Sequence, residues 1–162
     1  MYLLDSNIFI EAKNRHYGFD FCPAFWDWLI CEQATGTVAS IDAVYEELVA
    51  GSDELADWAR DSRSFFLPVD DAIVSSLSRL TDWCAETDYL DAAVTEFLQA
   101  ADYFLVGHAH AHCFTVVTHE LPKDTKKRIQ IPDACDAHEV PWINPYEMLR
   151  VEGARFVLGD GS

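Results

Sequence analysis

The chain opens on a short apolar run, Tyr2-Leu3-Leu4, that stops at an acid, Asp5. Comparable runs recur at 37–39, 65–69, 114–118 (FTVVT) and 140–143. Each is too short for a helix and is enriched in residues that suit a pleated, buried surface, so five strands are expected. Between them the apolar positions return every three or four residues. Asp5, Ser6 and Asn7 can cap a short helix to about Asn14, with a loop over 15–22. Pro23 opens a helix over 23–33 that carries Phe25, Trp28 and Leu29 on one face, and Gly36 stops it. Ser40 is expected to cap a helix over 41–50 with the stripe Ile41, Val44 and Leu48, ended by Gly51. Ser52 or Asp53 caps the next helix, to about Arg60, and Asp70 or Asp71 caps one to about Ala85. Helical stretches over 89–100 and 102–112, a polar loop over 119–128 and a C-terminal helix over 146–151 complete the pattern. The tail at 155–158 is expected to add an edge strand, and 159–162 to fray.

Short apolar strands separated by helices predict an α/β fold with a mainly parallel five-stranded sheet flanked by helices. With no repeat and no linker in 162 residues, one domain over 1–162 is expected, with a core over about 1–150 and a tail over 151–162. In such sheets ligands bind beyond the carboxyl ends of the strands, so the residues just after each strand are where chemistry is sought.

Charge narrows the classes. With 28 acidic against 11 basic residues the net charge is −17, which excludes a generally basic nucleic-acid coat and a polybasic membrane binder. It does not exclude an enzyme whose carboxylates hold a metal. Five cysteines without a CxxC spacing argue against a disulfide scaffold or zinc knuckle and for a reducing, cytoplasmic setting. The first residues lack the cationic start of a signal peptide, and no apolar run is long enough to span a bilayer, so no membrane partner is expected.

Acids stand at informative places. Asp5 follows the first strand, where it could simply cap a helix, although Ser6 and Asn7 can also cap. Of the adjacent pair Glu46 and Glu47, Glu47 borders the buried stripe, while Glu46 points about 100° away. Asp102 heads the run Tyr103–Val106, again as a site residue or a cap. Thr118 ends the fourth strand, with Glu120 two residues on and Asp124 beyond. Each acid alone is a weak signal; their order says more.

In that order the chain resembles the PIN-domain nucleases, which include the VapC-type toxins of toxin–antitoxin pairs. The matching stretches are YLLDSNIFI (2–10), VYEELVAG (44–51), AADYFLVGHAHAH (100–112) and FTVVTHE (114–120). The phrase MYLLDSNIFIEAKNRHYGFDFCPAFWDWL, with RIQIPDAC later, is most similar to an uncharacterised PIN-like subfamily. The resemblance implies a five-stranded parallel sheet of order 3-2-1-4-5. It implies Mg²⁺- or Mn²⁺-dependent hydrolysis of RNA phosphodiester bonds, with Asp5, Glu47 and Asp102 as catalytic metal ligands. Glu120 stands where many relatives have Asp or Asn; it or Asp124 would complete the set. Cys113 stands where relatives often have Gly. An antitoxin protein is the implied partner, and a homodimer is compatible with the resemblance.

The chemistry suits these residues. A hard dication prefers oxygen ligands, offsets the phosphodiester charge and lowers the pKa of a bound water. Ser6, Asn7 and Thr118 are expected to orient the acids or a phosphate. Cations for RNA are few: Lys123, Lys126, Lys127 and Arg128 form one dense group after Glu120, and Lys13 and Arg15 follow Asp5. The HxHxH pattern at His108, His110 and His112 would suit zinc on a strand. On the helix expected here only His108 and His112 align, which disfavours a zinc site; His119, inside Thr118-His119-Glu120, is a surface histidine by default. Trp26 and Trp28 fall on different helix faces, and residues 21–28 are a candidate partner or dimer surface. Two other readings compete. A HAD-like phosphatase with Asp5 as nucleophile needs a second Asp where Asn7 stands. A catalytically degenerate PIN fold would act as a protein-binding module.

Overall fold

A computed structural model describes residues 1–157. Five strands, β1 (Tyr2–Leu4), β2 (Val38–Ile41), β3 (Phe66–Leu67), β4 (Thr115–Val117) and β5 (Trp142–Ile143), form one sheet of order β3-β2-β1-β4-β5. All four pairings are parallel. This is the α/β architecture, and the strand order, expected of a PIN-like fold. Among the described residues nine α-helices flank the sheet: α1 (Ser6–Glu11), α2 (Pro23–Ala34), α3 (Asp42–Val49), α4 (Glu54–Asp61), α5 (Ala72–Glu86), α6 (Asp91–Gln99), α7 (Ala101–His112), α8 (Ile131–Ala137) and α9 (Pro145–Val151). None of these helices is long and apolar enough to cross a membrane.

The central strands are buried on both faces, which accounts for their unbroken apolar runs: Leu3, Leu4, Val116 and Val117 are fully covered. On one side of the sheet Phe9 of α1 meets Trp58, Phe65 and Phe66 at ring-centroid distances of 5.5, 5.8 and 6.1 Å. Such contacts between rings add to the burial of their area. α7 packs along α5, where Gly107 lets Leu77 approach so closely that a Cβ would lie 2.5 Å from Leu77 Cδ2.

Several local expectations are corrected. β2 runs through Ser40 instead of ending before it, so Ser40 caps nothing; its buried hydroxyl donates to the Leu4 carbonyl at 2.6 Å and ties β2 to β1. The third strand is only Phe66–Leu67, preceded by a 3₁₀ turn over Arg63–Phe65. α1 does not end in a loop but continues as a π-helical turn over Ala12–His16. α8, within 129–139, was not expected from periodicity; Pro132 in its first turn is the signal that marks it. Trp26, not Trp28, is the buried tryptophan of α2, and its indole donates to the Tyr17 carbonyl at 2.7 Å. The candidate surface over 21–28 therefore reduces to an exposed Phe21 and a partly buried Trp28. No edge strand forms over 155–157; Leu158 and the fraying expected over 159–162 lie outside the described residues.

Other expectations hold. Asp53 caps α4 by accepting from the Ala56 amide, and Asp70 accepts from the Ala72 and Ile73 amides at the start of α5. Cys113 ends α7 with φ 56° and ψ 42°. That left-handed conformation favours glycine. All five cysteines are free thiols.

Candidate active site

The carboxyl ends of β1 and β4 lie side by side at the middle of the sheet, where the order reverses direction. Asp5 sits at the end of β1 and is 1 % exposed. It occupies the N-cap position of α1, yet its side chain makes no cap hydrogen bond. Instead Asp5 Oδ2 accepts from the Thr118 hydroxyl at the end of β4, at 3.1 Å. The acid is therefore tied to the end of the neighbouring strand. Asn7 is exposed beside it.

Ser6 brings in the second acid. Its buried hydroxyl donates to Glu47 Oε2 at 2.6 Å and lies 3.4 Å from Asp5 Oδ1. Glu47 Oε1 lies 3.4 Å from the Ala101 amide, so this α3 side chain reaches across to the first turn of α7. Asp102 is the next residue of that turn and is half-buried. The cap role open to Asp102 is not used, since Ala100 is the N-cap residue and Asp102 makes no side-chain hydrogen bond among the described residues.

These groups share one electrostatic environment. Burial pushes the Asp5 carboxyl up to about 6, aided by the nearby Glu120 and Glu47 charges and opposed by the Thr118 hydroxyl and the Asn7 amide. Burial likewise pushes Asp102 up to about 7, followed by the charges of Asp5, Glu120 and Glu47; Arg128 alone works in the other direction. The charges of Glu47, itself exposed, and of Glu120 thus reach Asp5 and Asp102 and add to the effect of burial on those two acids.

Glu120 is in this pocket but is already engaged. Its Oε1 accepts from Arg128 at 2.7 Å and its Oε2 from the Ile131 amide at 2.8 Å. It thereby serves the N-terminus of α8. Asp124 is not in the pocket; it lies in an exposed cleft with Asp88, Tyr89 and Lys126. Of the two candidates for the fourth position, Glu120 is the one beside the other acids.

The cations are less available than the sequence suggests. Lys13 pairs with Asp53 at 2.7 Å, Lys126 with Asp88 at 2.8 Å and Arg15 with Glu11 at 3.3 Å. Arg128 pairs with Glu120 and also lines a small cleft beside Asp102. Lys123 and Lys127 are exposed and form no ion pair among the described residues.

Among the described residues no three His, Cys, Asp or Glu side chains are grouped to hold a metal ion. Ser6 holds Glu47, Thr118 holds Asp5, and Arg128 with the Ile131 amide holds Glu120. The donor chemistry nevertheless fits a hard dication, since every ligand offered is a carboxylate oxygen and the set carries excess negative charge.

The histidines of α7 take no part in this pocket. His110 Nδ1 lies 2.7 Å from the Ser76 hydroxyl, whereas His108 and His112 share a face with ring centroids 5.9 Å apart. His112 meets Asp70 at 2.9 Å, and both ring nitrogens of the buried His108 lack a partner among the described residues.

Fold and pocket together define an α/β protein with an acidic cluster at the carboxyl edge of a parallel sheet. The family described as a domain of unknown function, DUF4411, matches residues 2–156, and the chain belongs to it. No match was found among curated proteins or among solved structures.

Proposed function

We propose that this protein is a divalent-metal-dependent endoribonuclease that hydrolyses RNA phosphodiester bonds, as the toxin of a toxin–antitoxin pair. One observation carries the reading: at the carboxyl edge of the sheet Asp5 is tied to Thr118, and Ser6 links it to Glu47, whose other oxygen lies 3.4 Å from the amide that precedes Asp102. A pocket of that kind is unfavourable until a cation enters it. Asp5, Glu47 and Asp102 would hold Mg²⁺ or Mn²⁺, with Glu120 at the rim. The bound ion supplies charge compensation for the phosphate and a water of lowered pKa.

The remaining groups orient and admit substrate. The Thr118 and Ser6 hydroxyls fix the lone pairs of Asp5 and Glu47. Asp102, without a hydrogen-bond partner among the described residues, is free to turn toward a ligand. Asn7 at the entrance and Arg128, Lys123 and Lys127 on the following loop are the groups that would meet the RNA backbone. The toxin role, the antitoxin partner, a homodimer and a cytoplasmic setting rest on the PIN resemblance. An antitoxin bearing positive charge would complement the acidic surface.

A catalytically degenerate binding module is the second reading. The neutralisation of Glu120 by Arg128 favours it.

Thermal melting with added Mn²⁺ separates the two. The melting temperature rises in the wild type and not in Asp5→Asn; a flat wild-type response favours the binding module. Incubation of mixed RNA with Mn²⁺ tests cleavage, which Asp102→Asn abolishes. Equal cleavage by wild type and variant would expose a contaminant and remove the support for a nuclease.

A further inference from the structure

Two histidines of α7 that the acidic pocket leaves aside meet a carboxylate from another helix. His108 and His112 share a face of α7, with ring centroids 5.9 Å apart. Asp70 stands at the start of α5, and its two oxygens divide their work. Oδ1 accepts from the Ala72 and Ile73 amides at 3.0 and 3.2 Å, while Oδ2 lies 2.9 Å from His112 Nε2. The three side chains line one open pocket of about 240 Å³, walled by Met1, Leu67, Pro68 and Phe114. Met1 and Phe114 immediately precede β1 and β4, so this pocket lies at the opposite end of those strands from Asp5 and Thr118.

An ion pair accounts for His112 and Asp70, and a cation near a helix C-terminus is favourable. It does not account for His108. That ring is 2 % exposed, and neither of its nitrogens has a hydrogen-bond partner among the described residues. Buried polar groups are rarely left unpaired, because each costs free energy. Burial holds the His108 pKa below the ordinary histidine value, against the pull of the Asp70 charge, and a neutral ring keeps one nitrogen lone pair. A cation shared by the three side chains would satisfy that lone pair and take the place of the proton between His112 and Asp70.

Among the described residues no three such side chains are grouped around an ion as the rings stand. The adjustment needed is small. Ligand atoms on a tetrahedral zinc lie about 3.4 Å apart, so His112 and Asp70 need part by only about 0.5 Å. A half-turn of the His108 ring about its Cβ–Cγ bond exchanges nitrogen and carbon positions with little change of shape, and no hydrogen bond opposes it.

We propose that His108, His112 and Asp70 bind a borderline dication of the zinc class, with water completing its coordination, and that the ion fastens the start of α5 to the end of α7. Imidazole suits such an ion better than it suits Mg²⁺ or Mn²⁺, which prefer oxygen. The site is separate from the acidic pocket and does not rest on the ribonuclease reading.

Calorimetric titration with Zn²⁺ tests this, in excess Mg²⁺ to mask oxygen-rich sites. One ion binds per chain. His112→Gln and Asp70→Asn each weaken binding at least about tenfold, since even partners behind the ligands cost that much. Asp70→Asn keeps the oxygen that caps α5 and removes only the anionic one, so the metal-free fold persists. Asp5→Asn, at the other end of the sheet, stays within about twofold. Nitrogen NMR resonances of the His108 and His112 rings shift with Zn²⁺ in the wild type, a readout that does not depend on any variant folding. Zn²⁺ affinity unchanged in His112→Gln and Asp70→Asn, ring resonances of His108 and His112 that stay in place, or no binding of Zn²⁺ at all overturns the site.

Discussion

α1 serves two regions of opposite character within a single turn. At its start Asp5 and Ser6 enter a pocket of four carboxylates; four residues on, Phe9 enters a wall of aromatic rings. Asp5 and Phe9 are both buried, yet burial does opposite things to them. Around Phe9 it removes apolar surface from water and stabilises the fold. Around Asp5 it takes charge from water, and the neighbouring acids increase that cost. The comparison teaches that the aromatic side supplies stability which the acidic side draws down. A site poised for a cation is maintained by packing elsewhere on the same helix.

The largest effect is expected on the aromatic side. Phe9 is fully buried against Trp58, Phe65 and Phe66. Phe9→Ala should lower unfolding stability by about 3–5 kcal/mol through lost burial and the cavity left behind. Denaturant unfolding checks this, and a loss under about 1 kcal/mol would mean that the wall collapses onto the gap.

On the acidic side the sign is set by linkage. Asp5 and Asp102 have folded pKa values of about 6 and about 7, above their ordinary 3.8. The folded state therefore binds protons more tightly than the unfolded chain. These acids favour folding fully below pH about 4, and that contribution is lost as pH rises through about 6 and 7. The loss is on the order of 3 kcal/mol for Asp5 and about 4 kcal/mol for Asp102. Metal-free melting from pH 4 to 8 should show a decline that Asp102→Asn makes shallower and Mn²⁺ reverses. A wild-type profile no steeper than that of the variant would mean that the acids do not strain the fold.

The smallest effect probes the seam between the two regions. Ser40 holds β2 to β1 through the Leu4 carbonyl, one residue before Asp5. Ser40→Ala should lower stability by about 1–2 kcal/mol, because a buried carbonyl loses its donor. It should also weaken the Mn²⁺-dependent rise in melting temperature, since Asp5 follows directly on that strand. A stability loss with an unaltered response to Mn²⁺ would separate the seam from the site.

Much of the frame was legible in the chain. Alternating apolar runs and helical stripes identify a parallel α/β sheet, because a strand covered on both faces must be apolar throughout. Caps such as Asp53 announce their helices, because an exposed amide near an acid needs no distant partner. α8 was not legible, since its short apolar face is defined by packing against α7. Nor was the role of Ser40, because capping and cross-strand bonding use the same hydroxyl.

By itself the sequence determined which oxygens are on offer and at which strand ends they stand. Asp5, Thr118 and Glu120 are tied to those ends by chain connectivity over a few residues. Only the tertiary structure decided which of these oxygens are free. Glu120 is engaged by Arg128 and the Ile131 amide, Asp124 faces another cleft, most of the cations are matched with acids, and His112 meets Asp70 although they are far apart in sequence. The physical reason is range: a cap or a strand is chosen by neighbours along the chain, whereas a charge or a ring finds its partner only after folding has brought distant segments together.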